Sequence, residues 1–213
     1  MSILYHGGNR QLQDEFQSRS IADRLEQVTT RTLFNDDDRL FIESRIFFFL
    51  ATADDEGRAD CSFKGGAAGF IRVSAADELV FPDYDGNGMF KSLGNIAVNP
   101  SVGLLFLDFE KPRRLRVNGT CTVSRDDPLL VHTVGAQLIV RVKARAIFPN
   151  CPRYLPKMQL IEQSSYTPRA GIDAPEPAWK SFPDFAAFIH PRQETYRGDA
   201  SAVPADNEEA RRT

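Results

Sequence analysis

Residues 47–123 constrain this chain more than any other part of it: FFFLATADDEGRADCSFKGGAAGFIRVSAADELVFPDYDGNGMFKSLGNIAVNPSVGLLFLDFEKPRRLRVNGTCTV. Short apolar runs alternate with turn residues, and one helical segment, MFKSLGNIAV, interrupts them before Asn99-Pro100. Strands this short must pair with one another to satisfy their backbones, and closing the sheet removes edges that invite aggregation. Six or seven such strands with one inserted helix give a mainly β chain, a closed or half-closed antiparallel barrel. The Gly/Asn loop DYDGNG precedes the helix and leaves backbone N–H groups at its N-terminus. Such a helix start is suited to an anion, and suggests a phosphate-bearing ligand.

Strands are expected at 46–53, 58–64, 69–74, 78–82, 102–109 and 114–124, with hairpin or turn signals between them. A further strand follows, in which Val140, Val142, Ala144, Ala146 and Phe148 alternate with Arg141, Lys143 and Arg145. Asn99 before proline stops the central helix. Asn35 is an N-cap for an earlier helix, DDDRLFIESR, whose first-turn acids favour the helix dipole. Residues 10–27 carry Leu12, Phe16, Ile21 and Leu25 at helical spacing, an amphipathic arm expected to pack on the main body. Short helices are expected after Asp126-Asp127-Pro128 and within 149–159. These readings divide the chain into an arm (1–34), a barrel domain (35–163) and a C-terminal extension (164–213) whose last stretch, 199–213, is expected to be disordered.

A chain of 213 residues buries a real core, and 42% hydrophobic with 26% charged residues is ordinary for a globular domain. The net charge of −3 argues against a general nucleic-acid binder. No apolar run reaches the ~20 residues a membrane span requires, and the N-terminus lacks a secretion signal. Cys61, Cys121 and Cys151 are odd in number and far apart, which fits a reducing cytoplasm better than a disulfide framework. His6, His132 and His190 are scattered, with no partnered nucleophile or metal spacing, so no metal is expected.

The segments FFLATADDEGRADCSFKGG, GFIRV, FPDYDGNGMFKSLGNIAVNPSVGLLFLDF and RRLRVNG, in this order and spacing, resemble the pyridoxamine 5′-phosphate oxidase-like family of FMN-binding split barrels. The resemblance covers roughly residues 35–160, and the flanking YHGGNRQLQDEF and FPNCPRYLPKMQ look like motifs of a narrower bacterial branch. It implies an antiparallel split β-barrel and a homodimer holding FMN between its subunits. By this resemblance Lys64 or Arg72 contacts the cofactor phosphate, with Ser62 as an added donor. Phe81, Pro82, Asp83 and Tyr84 run along the flavin ring. Asn87, Gly88, Lys91 and Ser92 serve the phosphate end, Asn95 the ribityl chain, and Arg114 and Arg116 the partner's flavin. The C-terminal stretch does not match the substrate-holding Trp, Arg and His segment of the true oxidases, so that activity is not expected.

Simpler readings compete at several positions. Lys64 and Arg72 also suit solvated strand charges, Asn87 and Gly88 suit a turn, and Asp83 and Asp85 suit loop fixation. The leading expectation is an FMN-binding flavoprotein, an oxidoreductase acting on a small organic molecule with no obligatory side-chain acid or base. The alternative is a flavin or heme carrier or sensor without turnover, and a deazaflavin remains open as the cofactor. Neither nucleic acid nor a membrane is an expected partner.

Overall fold

A computed structural model describes residues 2–189, so His190 and the expected disordered tail lie outside the described residues. Seven antiparallel strands form one sheet: β1 (Phe47–Ala53), β2 (Ala59–Gly65), β3 (Arg72–Ala75), β4 (Glu78–Tyr84), β5 (Ser101–Asp108), β6 (Arg113–Ser124) and β7 (Ala136–Asn150). Their spatial order is β2-β1-β5-β6-β7-β4-β3. The sheet curls until its two ends face each other. The Phe48 ring on β1 meets the Phe81 ring on β4 at 5.0 Å, although three strands separate them in the sheet. Strands β2 and β3 end the order without pairing to each other, so the barrel is split.

Alternation along the strands explains the core. On β1, Phe48, Leu50 and Thr52 are buried, while Phe47, Phe49 and Ala51 point outward. The Phe48 ring also packs on Phe70 and Phe106, and Leu50, Leu79, Leu104 and Leu115 are almost wholly buried around it. Truncating a ring in such a cluster costs about 3–5 kcal/mol, which marks it as the main source of tertiary stability. One backbone irregularity lets β6 and β7 bend around the core. The register shifts between Asn118 and Gly119, and a Cβ at Gly119 would collide with the Lys143 carbonyl oxygen.

The helices follow the expected signals, with two corrections. In α3 (Asp36–Glu43) the Asn35 side chain accepts from the Asp38 amide, and Asp38 returns the contact in a capping box. Asp38 is buried and takes two bonds from the Arg31 guanidinium at 2.6 and 2.8 Å. Helix α4 (Lys91–Val98) sits against β1 and closes the barrel's end, with Leu93 and Ile96 inward. The helix expected within 149–159 is absent, because Pro152 and Pro156 leave too few consecutive amides for a helical ladder. After Asp127 the chain makes only a 3₁₀ turn, Leu130–His132.

The arm is the second correction. It forms α1 (Gly7–Glu15) and α2 (Arg19–Thr29), broken where Gln17 adopts φ 52°, and neither helix buries a residue. Leu12, Phe16, Ile21 and Val28 stay more than half exposed instead of packing on the barrel. Arg145 of β7, which reaches the arm at Ile3, offers no apolar seat. Polar ties hold the arm. Arg31 pairs with Ile147 through backbone bonds of 2.8 and 2.7 Å, and Arg145 donates to the Ile3 carbonyl. The Glu26 carboxylate accepts from Ser2 Oγ and the Ile3 and Leu4 amides at 2.8–3.1 Å.

Two glycines give opposite expected outcomes in urea unfolding. Gly119→Ala forces β6 from β7 and lowers stability by about 1–3 kcal/mol. Gly94→Ala lies mid-α4 with no atom within 4 Å of its new methyl group and raises stability by about 0.5–1 kcal/mol. A stable Gly119→Ala protein with an unchanged urea midpoint contradicts the bulge assignment.

Candidate functional site

The split in the barrel is lined rather than empty. On edge strand β2 the alternation puts Asp60, Ser62 and Lys64 on one half-buried face, with Cys61 and Phe63 on the outer one. Opposite them β4 ends at Pro82, Asp83 and Tyr84, and the loop 85–90 leads into α4. Between these walls lies a cavity of about 500 Å³, within the usual range for small-molecule sites. Its lining includes Ser62, Lys64, Pro82, Asp83, Tyr84, Asn87, Gly88, Lys91 and Ser92.

The other expected residues lie elsewhere. Arg72 is exposed on β3, outside the lining, though its charge reaches Tyr84. The Phe81 side chain is 1% exposed and belongs to the core. Asn95 is buried in α4 and donates to Thr52 Oγ1 at 3.0 Å. Arg114 donates to the Cys151 carbonyl, and Arg116 is exposed on β6 opposite Leu105. The cavity thus gathers the β2 and 82–92 residues and omits the arginines.

Gln137 is the lining residue that sequence reasoning missed. Its amide donates to Asp83 Oδ2 at 2.7 Å and to the Tyr84 carbonyl at 2.8 Å, fixing the end of β4. Alternation carried backward from Val140 reaches Leu138 and Ala136 and passes over Gln137, which sits where the register shifts between Asp83 and Tyr84. Asp60 and Phe70 were likewise unread; Phe70 folds over Gly66, where any side chain would strike its ring.

The site's electrostatics are mixed. Lys64 Nζ stands 3.9 Å from Asp83 Oδ1, too far for a tight hydrogen bond, and its side chain is only 21% exposed. Three donors on one ammonium leave capacity for a ligand oxygen. Asn87 Oδ1 accepts the Met89 amide at 3.0 Å, so this side chain serves the turn. The amides of Gly86, Asn87 and Gly88 donate to no acceptor among the described residues. Successive N–H groups of this kind form an anion-binding concavity. Burial pushes the Tyr84 phenol up to about 12, partly opposed by the Arg72 charge, so it stays a neutral donor at physiological pH.

The family model described as pyridoxamine 5′-phosphate oxidase matches residues 34–165, the barrel with its inserted helix. The chain belongs to the pyridoxamine 5′-phosphate oxidase family. Solved structures of similar fold include a putative pyridoxamine 5′-phosphate oxidase from Lactobacillus delbrueckii, at 19% identity and TM-score 0.46, covering 57% of this chain and 99% of that one. An FMN-binding protein from Syntrophomonas wolfei is similar at 14% identity and TM-score 0.42, covering 68% and 98%. HutZ of Vibrio cholerae, described as a heme storage protein, is similar at 16% identity and TM-score 0.41, covering 53% and 92%. No curated protein matches the chain. Membership in the pyridoxamine 5′-phosphate oxidase family accounts for the sheet and for the position of its split. Among the described residues no helix is long and apolar enough to cross a membrane.

Tyr84 gives the cavity a pH signature. Below pH 10 the phenol is neutral in both states and its stabilising burial is intact. Between pH 10 and 12 the unfolded chain ionises while the folded one resists, so stability falls as pH rises. Urea midpoints compared at the two ends of this window should drop more in the native protein than in Tyr84→Phe; equal drops reject the assignment.

Proposed function

We propose that the cavity binds FMN and that the protein is an FMN-dependent oxidoreductase for a small organic molecule. The observation that carries this reading is the pairing of a half-buried ammonium, Lys64, with the uncommitted amides of 86–88 in one cavity that also has aromatic walls. The cationic end suits a phosphate, and Phe70, Pro82 and Tyr84 suit a flat heteroaromatic ring. Lys91 adds a second positive group, and Ser62 adds a hydroxyl donor to the same wall.

Bound flavin supplies hydride or electron transfer. The chain's own residues bind, orient and exclude water. The backbone at 82–84, pinned by Gln137, presents fixed polar groups along the cavity wall, and the neutral Tyr84 phenol is available as a donor. The mismatch of the C-terminal stretch with the substrate segment of the true oxidases supports a substrate other than pyridoxamine 5′-phosphate.

The functional unit is proposed to be a homodimer. The outer faces of β1 and β2 carry Phe47, Phe49 and Phe63, joined by Phe109, with ring centroids 5.3–6.2 Å apart and Phe63 61% exposed. An aromatic patch of this kind favours a protein partner over water. Arg116 lies in the same outer row through its pairing with Leu105, and so is placed to complete a neighbouring protomer's site.

Two measurements test the reading. Titration of the protein into FMN should quench flavin fluorescence at micromolar concentrations, and Lys64→Met should weaken binding by about 1.5–3 kcal/mol, the worth of a charged hydrogen bond. Unquenched flavin at those concentrations rejects the cofactor. Leu105→Asp, placing a charge on the outer face, should convert the dimer to a monomer in sedimentation; an unaltered mass moves the interface elsewhere.

A further inference from the structure

The chain beyond β7 crosses the split in the barrel. The Met158 amide donates to the Phe109 carbonyl at 3.1 Å, beside the β5–β6 hairpin. The Gln163 side chain then donates to the Gly66 carbonyl at 3.0 Å, just past the end of β2. Pro168 covers Gly135, where a Cβ would stand 2.7 Å from the Pro168 Cβ and 3.8 Å from the Tyr84 ring. Farther on, Lys180 Nζ donates to Asp85 Oδ2 at 2.8 Å, just past the end of β4. The Lys180 side chain is only 15% exposed, and the Trp179 and Phe185 rings meet edge-on at 6.0 Å beside it. One segment thus touches both lips of the opening.

The charge of the cavity gives this path a purpose. Its lining holds three carboxylates, Asp60, Asp83 and Asp85, against two ammonium groups, Lys64 and Lys91. An anionic ligand entering that lining meets carboxylates as well as ammonium groups. Lys180 comes from outside the lining and bonds the acid that opens the anion-binding loop, Asp85 of 85–88. It ties the loop at the point where the amides of Gly86, Asn87 and Gly88 begin.

We propose that residues 158–180 form a strap across the barrel's split, and that Lys180 is a positioning residue which orders loop 85–88 for an anionic ligand. The strap sets the width between the ends of β2 and β4, and the ion pair fixes the start of the loop that carries the amides before ligand arrives. That a phosphate of FMN is the anion rests on the preceding reading; the ordering of the loop does not.

The test uses the full chain with Lys180→Met and Lys180→Arg, both checked for native circular dichroism. In ligand-free protein, the NMR order parameters of the backbone N–H groups at 85–88 should fall in Lys180→Met from about 0.85, the rigid range, to below about 0.6. Lys180→Arg should keep the native values, because it keeps the charge and the donor. Order parameters in Lys180→Met that equal the native ones overturn the strap. FMN titration then separates the two claims. Binding weakened about tenfold by Met and restored by Arg supports Lys180 as part of the site. Loosened amides with undiminished FMN affinity overturn that role. Native protein that binds no FMN, yet shows the order-parameter pattern, removes the flavin and leaves the strap standing.

Discussion

The whole arrangement depends on two strands that do not pair. Continuous hydrogen bonding from β2 to β3 would have closed the barrel and filled its interior with side chains. Instead the sheet stops one pairing short, and the cavity lies between β2 and the end of β4. The large rings of Phe48, Phe81 and Phe106 hold the curled sheet from inside, so the opening does not need lateral hydrogen bonds to keep its shape. An open seam also leaves unpaired edge groups, which natural sheets usually cover. Here the inserted helix, the loop before it and the C-terminal segment do the covering, and each places polar groups around the same space.

That economy explains the mixed chemistry of the cavity. An exposed β2 edge alone would be an aggregation hazard, and its inward charges Asp60 and Lys64 discourage strand addition. The same charges become recognition groups once the cavity is formed. Tyr84 and Phe70 supply apolar surface beside them, so the lining is neither a salt pocket nor a greasy slot. A ligand with one charged end and one flat aromatic end meets both kinds of surface.

The strands were legible because their alternation is strict and their turns are chemically explicit. Asn35, Asn99-Pro100 and the run at 46–53 each fixed an element boundary within a residue or two. The cavity wall at 82–92 was legible through its Gly/Asn loop and its place in the family pattern. Contacts distant in sequence were not. Gln137 meets Asp83 across 54 residues, and Lys180 meets Asp85 across 95, with no local pattern to announce either. The helix expected within 149–159 failed because two prolines outweigh the local composition. The arm's helices were read from spacing, but the charge of the neighbouring strand decides against their packing.

The N-terminal clasp has a further consequence. Helices of nine and eleven residues are marginal in water without a packed face, and α1 and α2 have none. Glu26 binds the first residues back onto α2. Although its own desolvation opposes ionisation, the bonds from Ser2, Leu4 and Ile3 prevail and hold its carboxyl below the ordinary glutamate range. The clasp is therefore complete above that range and lost as protons are added through the lowered value. Acid would untie this N-terminal clasp and would also loosen the polar ties of the barrel, where Asp54, Asp108 and Asp127 are held below the usual carboxylate range, leaving the aromatic contacts as the cohesion that protons do not reach.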